Sequence, residues 1–154
     1  MYIEIILIFV IIILIILLIS FQLKENYLQN DPILTELKHD LIPVFDKKQN
    51  TYTGNLSKLN DIDIWNEISL YSGDKSYTIN KEQVFLCLKD ENGEYYNKNM
   101  LLYVLLHELA HVINNEVGHG AKFNEINNEL LALATEKGVY NPSIPVIQNY
   151  CMYN

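Results

Sequence analysis

The chain begins with an apolar run that few environments can accommodate. Every residue from Ile5 to Ile19 is apolar, and Phe21 and Leu23 extend the run. As a helix, residues 3–23 would be roughly 30 Å long, which is about the thickness of the hydrocarbon core of a bilayer. Because this helix would have no polar face, the pattern favours a membrane span over a helix of a soluble domain.

The alternative of a cleavable signal peptide fits the sequence less well. Such a peptide has a positively charged start, a shorter apolar core and small residues at its cleavage site. Here the start is MYIE, and the run is followed by SFQLKENYLQN. We therefore predict an uncleaved single-pass anchor over residues 1–24 and one domain over residues 25–154. Lys24 is the only basic residue near the run, so the sequence leaves the orientation in the membrane open.

Charge and cysteine content exclude some classes of function. The net charge is −8, and all eleven basic residues are lysines, which argues against nucleic-acid binding through a basic surface. Cys87 and Cys151 lie far apart and form no CxxC zinc pattern. The sequence is compatible with a disulfide between these two cysteines and also with two free thiols.

The remaining periodicities predict an α+β domain. A helix starts at Pro32 with Asp31 as its cap, and we expect Pro43 to end it. A polar, turn-rich stretch over residues 46–61 predicts an irregular connection. Residues 62–96 are rich in β-branched and aromatic side chains and predict a small antiparallel or mixed sheet, with its clearest strand at Gln83–Leu88. Two further helices are expected, at about residues 97–115 and 122–137.

The first of these two helices carries the sequence HELAH. His107 and His111 are four residues apart, so a helix would place both imidazoles on one face, one turn apart. Glu108 lies one step round the helix, where its carboxylate can approach the open side of an ion instead of binding it. This is the H-E-x-x-H pattern, in which two neutral imidazoles hold Zn²⁺ and the glutamate is the general base. Zinc in such a site lowers the pKa of a bound water towards neutrality.

A catalytic zinc site needs a third protein ligand and one open position. His119 lies just beyond the helix between Gly118 and Gly120, where the chain can fold back towards the metal. Glu125 and Glu129 on the following helix are rival ligands, as in peptidases that use two histidines and a glutamate. We predict His119 as the third ligand.

HELAH followed by GHGAKF resembles the zincin metallopeptidases of the SprT and WLM type, in which a G-H-G-x-x-F/W motif supplies the third histidine. The resemblance covers Gly118, His119, Gly120 and Phe123 in addition to the HELAH residues. It implies a zincin-like domain with Zn²⁺ on His107, His111 and His119. It also implies an edge strand that aligns an extended substrate, and NKEQVFLCL is the expected strand. In its anchor and its small size, the chain resembles membrane-anchored metallopeptidase-like proteins of large DNA viruses.

The chain departs from related families in informative ways. Asn114 and Val117 stand where a metzincin has its glycine and third histidine. The chain also has no cysteine zinc ribbon or basic segment, which puts the DNA–protein crosslink substrate of SprT-type proteins in doubt. Four tyrosines are candidates for stabilising the oxyanion, and the sequence selects none of them: Tyr77, Tyr140, Tyr150 and Tyr153.

These features predict a membrane-anchored, zinc-dependent endopeptidase that hydrolyses protein or peptide substrates, with Glu108 as general base. The alternatives are an inactive zinc-stabilised membrane scaffold and a non-proteolytic zinc hydrolase. Glu108 argues against the scaffold, because a purely structural site needs no base and usually closes its fourth position.

Overall fold

A computed structural model describes residues 2–151, without the side chains of residues 25–28. Its helices and strands are, in chain order, α1 (Tyr2–Gln29), α2 (Pro32–Asp40), α3 (Ile42–Phe45), a 3₁₀ helix (Gly54–Asn60), α4 (Ile64–Glu67), β1 (Ser69–Ser72), β2 (Tyr77–Ile79), β3 (Gln83–Leu86), α5 (Lys98–Ile113) and α6 (Ala121–Glu136). The architecture is α+β, as predicted.

Helix α1 contains the apolar run. The segment Tyr2–Lys24 has a mean hydropathy of 3.5, and none of its most apolar window is buried against the rest of the chain. By length and composition it is long and apolar enough to cross a membrane. The helix continues past the predicted boundary at Lys24 and ends at Gln29.

The start of α2 follows the prediction, but its end does not. The side chain of Asp31 accepts a hydrogen bond from the main-chain nitrogen of Ile33 at 3.1 Å, and Pro32 occupies the first turn. The helix ends at Asp40, and Pro43 lies in the first turn of α3. The expectation that Pro43 ends the helix was wrong, because proline fits a first turn, where its missing N–H has no helical partner.

The sheet is mixed and has three strands in the order β1–β3–β2. Strand β1 runs parallel to β3, with Leu70 opposite Val84, whereas β2 is antiparallel to β3, with Thr78 opposite Val84. Strand β3 is therefore the central strand and not the edge strand that the resemblance implied. Both sides of β3 are already hydrogen-bonded to neighbouring strands, so its backbone cannot pair with a peptide.

Other expected strands are shorter than the pattern suggested. The segment IDIWNEISLY divides into α4 and β1, and GEYY contributes only an isolated bridge between Tyr95 and Lys89. The polar stretch after α3 includes the 3₁₀ helix. Short elements of this kind depend on tertiary packing, which local β-propensity does not report.

The core surrounds α5. Asn97 caps this helix, because its side chain accepts a hydrogen bond from the main-chain nitrogen of Met100 at 2.9 Å. Most of the helix is buried, including Leu101, Leu105 and Leu109, which have no exposed surface. Helix α6, the 3₁₀ helix and the sheet all contact α5. His107 and His111 are only partly buried, so the histidine-bearing side is where the helix approaches solvent.

Candidate metal centre

The three histidines of HELAH and GHGAKF converge on one point. His107 and His111 lie one turn apart on α5, and His119 comes from the loop between α5 and α6. The Nε2 atom of His119 lies 3.1 Å from Nε2 of His107 and 3.1 Å from Nε2 of His111. One ligand atom from each residue lies within 4.8 Å of the others, and among the described residues this is the only such group of potential metal ligands.

The loop returns His119 to the helix by a left-handed turn. Gly118 has φ +86°, a conformation that glycine adopts without steric cost. Gly120 has φ −67°, so it needs no such freedom. Of the two glycines that flank His119, only Gly118 is therefore required for the backbone conformation of the turn.

Phe123 lies directly behind the three imidazoles. The residue is only 1% exposed, and its ring stacks on His111 with centroids 4.2 Å apart. It meets His107 and His119 edge-on, at 4.9 and 4.7 Å. Among the described residues no group accepts a hydrogen bond from Nδ1 of these histidines. Packing on Phe123, the last residue of the GHGAKF segment, therefore orients the rings.

Glu108 points from α5 towards the edge strand β2. The residue is only 5% exposed, and its Oε2 accepts a hydrogen bond from the hydroxyl of Thr78 at 2.8 Å. The same hydroxyl lies 3.2 Å from the main-chain oxygen of Glu108. Thr78 was not among the predicted site residues.

Burial governs the ionisation of the site. It lowers the pKa of His107 to about 4, with smaller contributions from His111 and His119. It also lowers the pKa of His111, and the charges of His119 and Lys81 act in the same direction. Both rings are neutral at neutral pH, which is the form that binds metal. Burial raises the pKa of Glu108, and the hydrogen bond from Thr78 opposes that shift.

A cleft of about 530 Å³ opens over the histidines. One wall is β2 and the turn that follows it, the other is the loop after α5, and Glu108 lies between them. Tyr77 on β2 and Val117 on the loop line opposite walls, and Val117 is 99% exposed. In the part of the chain that the structure describes, β3 is the only strand paired with β2, so the other edge of β2 is unpaired, and residues of β2 line this cleft.

The rival ligands are occupied elsewhere. Asn55 of the 3₁₀ helix donates hydrogen bonds to Glu129 Oε1 at 2.6 Å and to Glu125 Oε2 at 3.3 Å. Neither glutamate belongs to the convergent group. The structure thus brings His119, and not Glu125 or Glu129, to the HELAH histidines.

Of the three candidate tyrosines that the structure describes, only Tyr77 lines the cleft. Tyr140 is buried against Tyr103, with ring centroids 6.1 Å apart. The hydroxyl of Tyr150 donates to the main-chain oxygen of Cys87 and lies 3.1 Å from the hydroxyl of Ser76. Tyr153 lies outside the described residues.

Two lysines contact the C-terminal end of α5, where the loop that carries His119 (residues 114–120) begins. Lys58 donates hydrogen bonds to the main-chain oxygens of Val112 and Ile113, at 3.2 and 3.4 Å. Lys81, in the turn between β2 and β3, donates to the main-chain oxygen of Asn114. Ammonium groups at a helix C-terminus satisfy its unpaired carbonyls and interact favourably with its dipole. Burial and the charge of Lys81 lower the pKa of Lys58.

Cys87 and Cys151 form a disulfide, which the sequence had left open. Their Cα atoms are 6.2 Å apart, and the bond ties the C-terminal segment to the chain immediately after β3. Ser76, just before β2, accepts a hydrogen bond from the main-chain nitrogen of Cys87 at 3.0 Å. The tail is thereby connected to the strand that borders the cleft.

Sequence analysis missed the cleft residues contributed by β2 and its turn, above all Thr78 and Lys81. Period-2 alternation could have placed Thr78 on the opposite face from Tyr77 and Ile79. The sequence carries no signal, however, that this face of β2 meets α5 beside Glu108, because that contact depends on strand order.

Comparison with known proteins relates the chain to viral proteins. It is 44% identical over 129 residues to "Uncharacterized protein 136R" of Invertebrate iridescent virus 6, an alignment that covers 80% of this chain and 72% of that protein. It is 39% identical over 121 residues to "Uncharacterized protein 042R" of Invertebrate iridescent virus 3, covering 77% and 76%.

A shorter match, 34% identical over 67 residues, links the chain to "Uncharacterized protein R325" of Acanthamoeba polyphaga mimivirus and covers 42% of this chain and 34% of that protein. No protein-family model and no solved structure matches the chain. On the extent and identity of the two longer alignments, the chain belongs to the family that includes the iridescent virus proteins 136R and 042R.

Proposed function

We propose that this protein is a membrane-anchored, zinc-dependent endopeptidase similar to the SprT and WLM type. One observation carries the proposal. Three imidazole Nε2 atoms converge at the floor of an open cleft, and the carboxylate of Glu108 lines the same cleft. Convergent ligands, an adjacent base and a cleft together are the parts that metal-assisted hydrolysis requires.

The donor set fits zinc. Tetrahedral zinc binds imidazole nitrogens at about 2.0–2.1 Å, which places neighbouring donors roughly 3.3 Å apart. The Nε2–Nε2 separations of 3.1 Å from His119 to His107 and to His111 are close to that value. His107, His111 and His119 would hold the ion. When bound, zinc would supply Lewis-acid polarisation and would lower the pKa of a coordinated water.

Glu108 would act as general base and then as general acid. It takes one proton from the attacking water while the water oxygen forms a bond to the peptide carbonyl carbon. The C–N bond then breaks, and Glu108 passes that proton to the leaving nitrogen. Burial raises the pKa of Glu108, which suits a group that must both accept and return a proton near neutral pH.

Strand β2 is the proposed substrate-binding edge, in place of the strand that the sequence had indicated. Residues of β2 line the cleft, and among the described strands its edge away from β3 is unpaired, so an extended peptide would continue the sheet there through main-chain hydrogen bonds. The bound peptide would then run past Glu108 and the histidines. Tyr77 also lies on this strand and lines the cleft, and its ring stacks on Phe85 with centroids 4.7 Å apart.

The principal competing function is a zinc-stabilised scaffold without activity. Structural zinc sites usually have four protein ligands. Here the described residues bring together three histidines, and all three line an open cleft from which water or substrate would supply the remaining ligand. This difference favours catalysis.

The test uses the full chain purified in detergent micelles. We expect about one zinc per chain and cleavage of a broad peptide library. Glu108→Gln should retain zinc and lose at least about 100-fold in kcat, since general acid–base catalysis typically contributes 10²–10⁴-fold. The matched control, Glu116→Gln, changes another cleft glutamate outside the histidine group. Purified protein without zinc would refute the proposal, and zinc without turnover would favour the scaffold.

The anchor proposal rests on α1. A helix with this length and hydropathy would hold the domain at a viral or host membrane. We expect the full chain to float with liposomes and to resist carbonate extraction, whereas a variant with three lysines in place of Ile11, Ile12 and Ile13 should not insert. Extraction of the full chain by carbonate would contradict an integral anchor.

A further inference from the structure

We propose that Thr78 is the positioning residue that holds the Glu108 carboxylate for catalysis; this inference rests on the hydrolytic function proposed above. Its hydroxyl is 2.8 Å from Oε2 of Glu108 and 3.2 Å from the main-chain oxygen of the same residue. The single hydroxyl proton of Thr78 is thus shared between the side-chain and the main-chain oxygen of Glu108. The bond to Oε2 restricts the rotation of the Glu108 side chain.

The position of Thr78 follows from the strand. Tyr77 and Ile79 point outwards and are 42% and 39% exposed, so Thr78 between them points inwards towards α5. It lies opposite Val84, whose side chain has no exposed surface. A hydrophobic residue would pack well at this inward position. The presence of a hydroxyl therefore indicates that a neighbouring group requires a hydrogen-bond donor.

That requirement comes from Glu108. Among the described residues, Thr78 is the only side chain that donates a hydrogen bond to the Glu108 carboxylate, and it contacts Oε2 only. Among the described residues no group donates a hydrogen bond to the other oxygen, Oε1, and Glu108 lines the cleft, so Oε1 is the oxygen that would accept the proton of the attacking water. A base held at one oxygen and free at the other has one orientation in which to accept a proton, which is the geometric condition for efficient transfer.

The same contact links substrate binding to the base. Thr78 belongs to β2, the proposed substrate-binding edge, and its main chain would lie beside the bound peptide. Its side chain meanwhile contacts Glu108 on α5. If β2 shifts when the peptide binds, Thr78 moves with it and changes the position of the Glu108 carboxylate. Thr78 therefore couples the position of the bound peptide to the position of the base.

The experiment compares Thr78→Val with Thr78→Ser in the full chain in detergent. Valine keeps the branched shape and removes the donor, whereas serine keeps the donor. We expect Thr78→Val to lower kcat about 10- to 100-fold with KM changed less than about threefold, because misplacing a catalytic group acts on the transition state. Thr78→Ser should recover kcat to within about fivefold of the wild type. A merely structural role would instead lower the melting temperature without this split between kcat and KM.

A second readout does not depend on turnover. With Co²⁺ in place of zinc, the visible absorption spectrum reports the surroundings of the ion. We expect Thr78→Val to change this spectrum in the same direction as Glu108→Gln, and Thr78→Ser to leave it unchanged. If the wild type cleaves no peptide but the spectra follow this pattern, the endopeptidase proposal fails and the positioning role stands.

Two results would overturn the positioning role. The first is Thr78→Val with wild-type kcat and a wild-type cobalt spectrum. The second is failure of the wild-type chain to bind Co²⁺ at all, which would overturn the metal site together with the role of Thr78.

Discussion

At the scale of single residues, the site depends on which side chain completes the histidine pair of α5. His119 meets both histidines, whereas the Glu129 carboxylate accepts a hydrogen bond from Asn55. Loss of an outer-shell partner alone typically lowers metal affinity 10–100-fold. We therefore expect His119→Ala to lower zinc affinity by about 100-fold or more, and Glu129→Ala to change it less than about threefold. Competition with a chromophoric chelator measures both, and the reverse order would assign the third ligand to Glu129.

Phe123 tests whether ring packing orients the ligands. Phe123→Leu keeps an apolar side chain and removes the contacts with three imidazoles. We expect about 1–2 kcal/mol of lost stability and about tenfold weaker zinc binding. Ile126→Val, a buried change one turn further along α6, should cost about 1 kcal/mol with zinc affinity unchanged. Equal effects of both variants on zinc affinity would show that Phe123 acts through overall stability alone.

At the scale of elements, the loop that carries His119 begins at the C-terminal end of α5, which the β2–β3 turn and the 3₁₀ helix both contact. Lys81 connects the β2–β3 turn to the main-chain oxygen of Asn114, and Lys58 connects the 3₁₀ helix to the last turn of α5. Both amino groups are supplied by elements that are distant from α5 in sequence. The position of His119 therefore depends on the sheet and the 3₁₀ helix as well as on α5.

Lys81→Met tests this anchoring. The substitution keeps the aliphatic stem and removes the hydrogen bond to a partly buried carbonyl, at an expected cost of about 1 kcal/mol. We expect faster hydrogen exchange of the amides of residues 114–120 and faster release of zinc. Lys75→Met, an exposed lysine before β2, makes the same charge change and should leave both unaffected. Unchanged exchange in Lys81→Met would show that the loop is held without it.

The helices and strands were predicted well where the interactions that form them lie within a few residues in the sequence. Helices α5 and α6 were predicted to within two residues at each end, because their apolar periodicity and, for α5, the Asn97 cap are local in the sequence. The arrangement of the sheet was harder to predict from the sequence. The strand at Gln83 was found, but its central position was not, because strand order depends on which faces the rest of the core covers.

At the scale of the whole molecule, the disulfide between Cys87 and Cys151 encloses α5 and α6 in one covalent loop. The bridged residues are 64 positions apart, so the bond restricts a long loop in the unfolded state. We expect reduction to lower the free energy of unfolding by about 2–5 kcal/mol. Urea denaturation with and without reductant measures this, and Cys87→Ser/Cys151→Ser should match the reduced protein. Two free thiols in the native, unreduced protein would contradict the bond.

The sequence by itself determined the features whose causes are local. These are the apolar helix, the limits of α5 and α6, and the placement of His107, Glu108 and His111 on one side of a helix, since helical periodicity acts within a few residues. Only the tertiary structure decided that β2 is the edge strand beside the cleft, that Thr78 meets Glu108, that Glu125 and Glu129 bind Asn55, and that the two cysteines pair. Each of these contacts joins residues far apart in the chain. Their partners are set by how the elements pack around α5, and no local pattern records that packing.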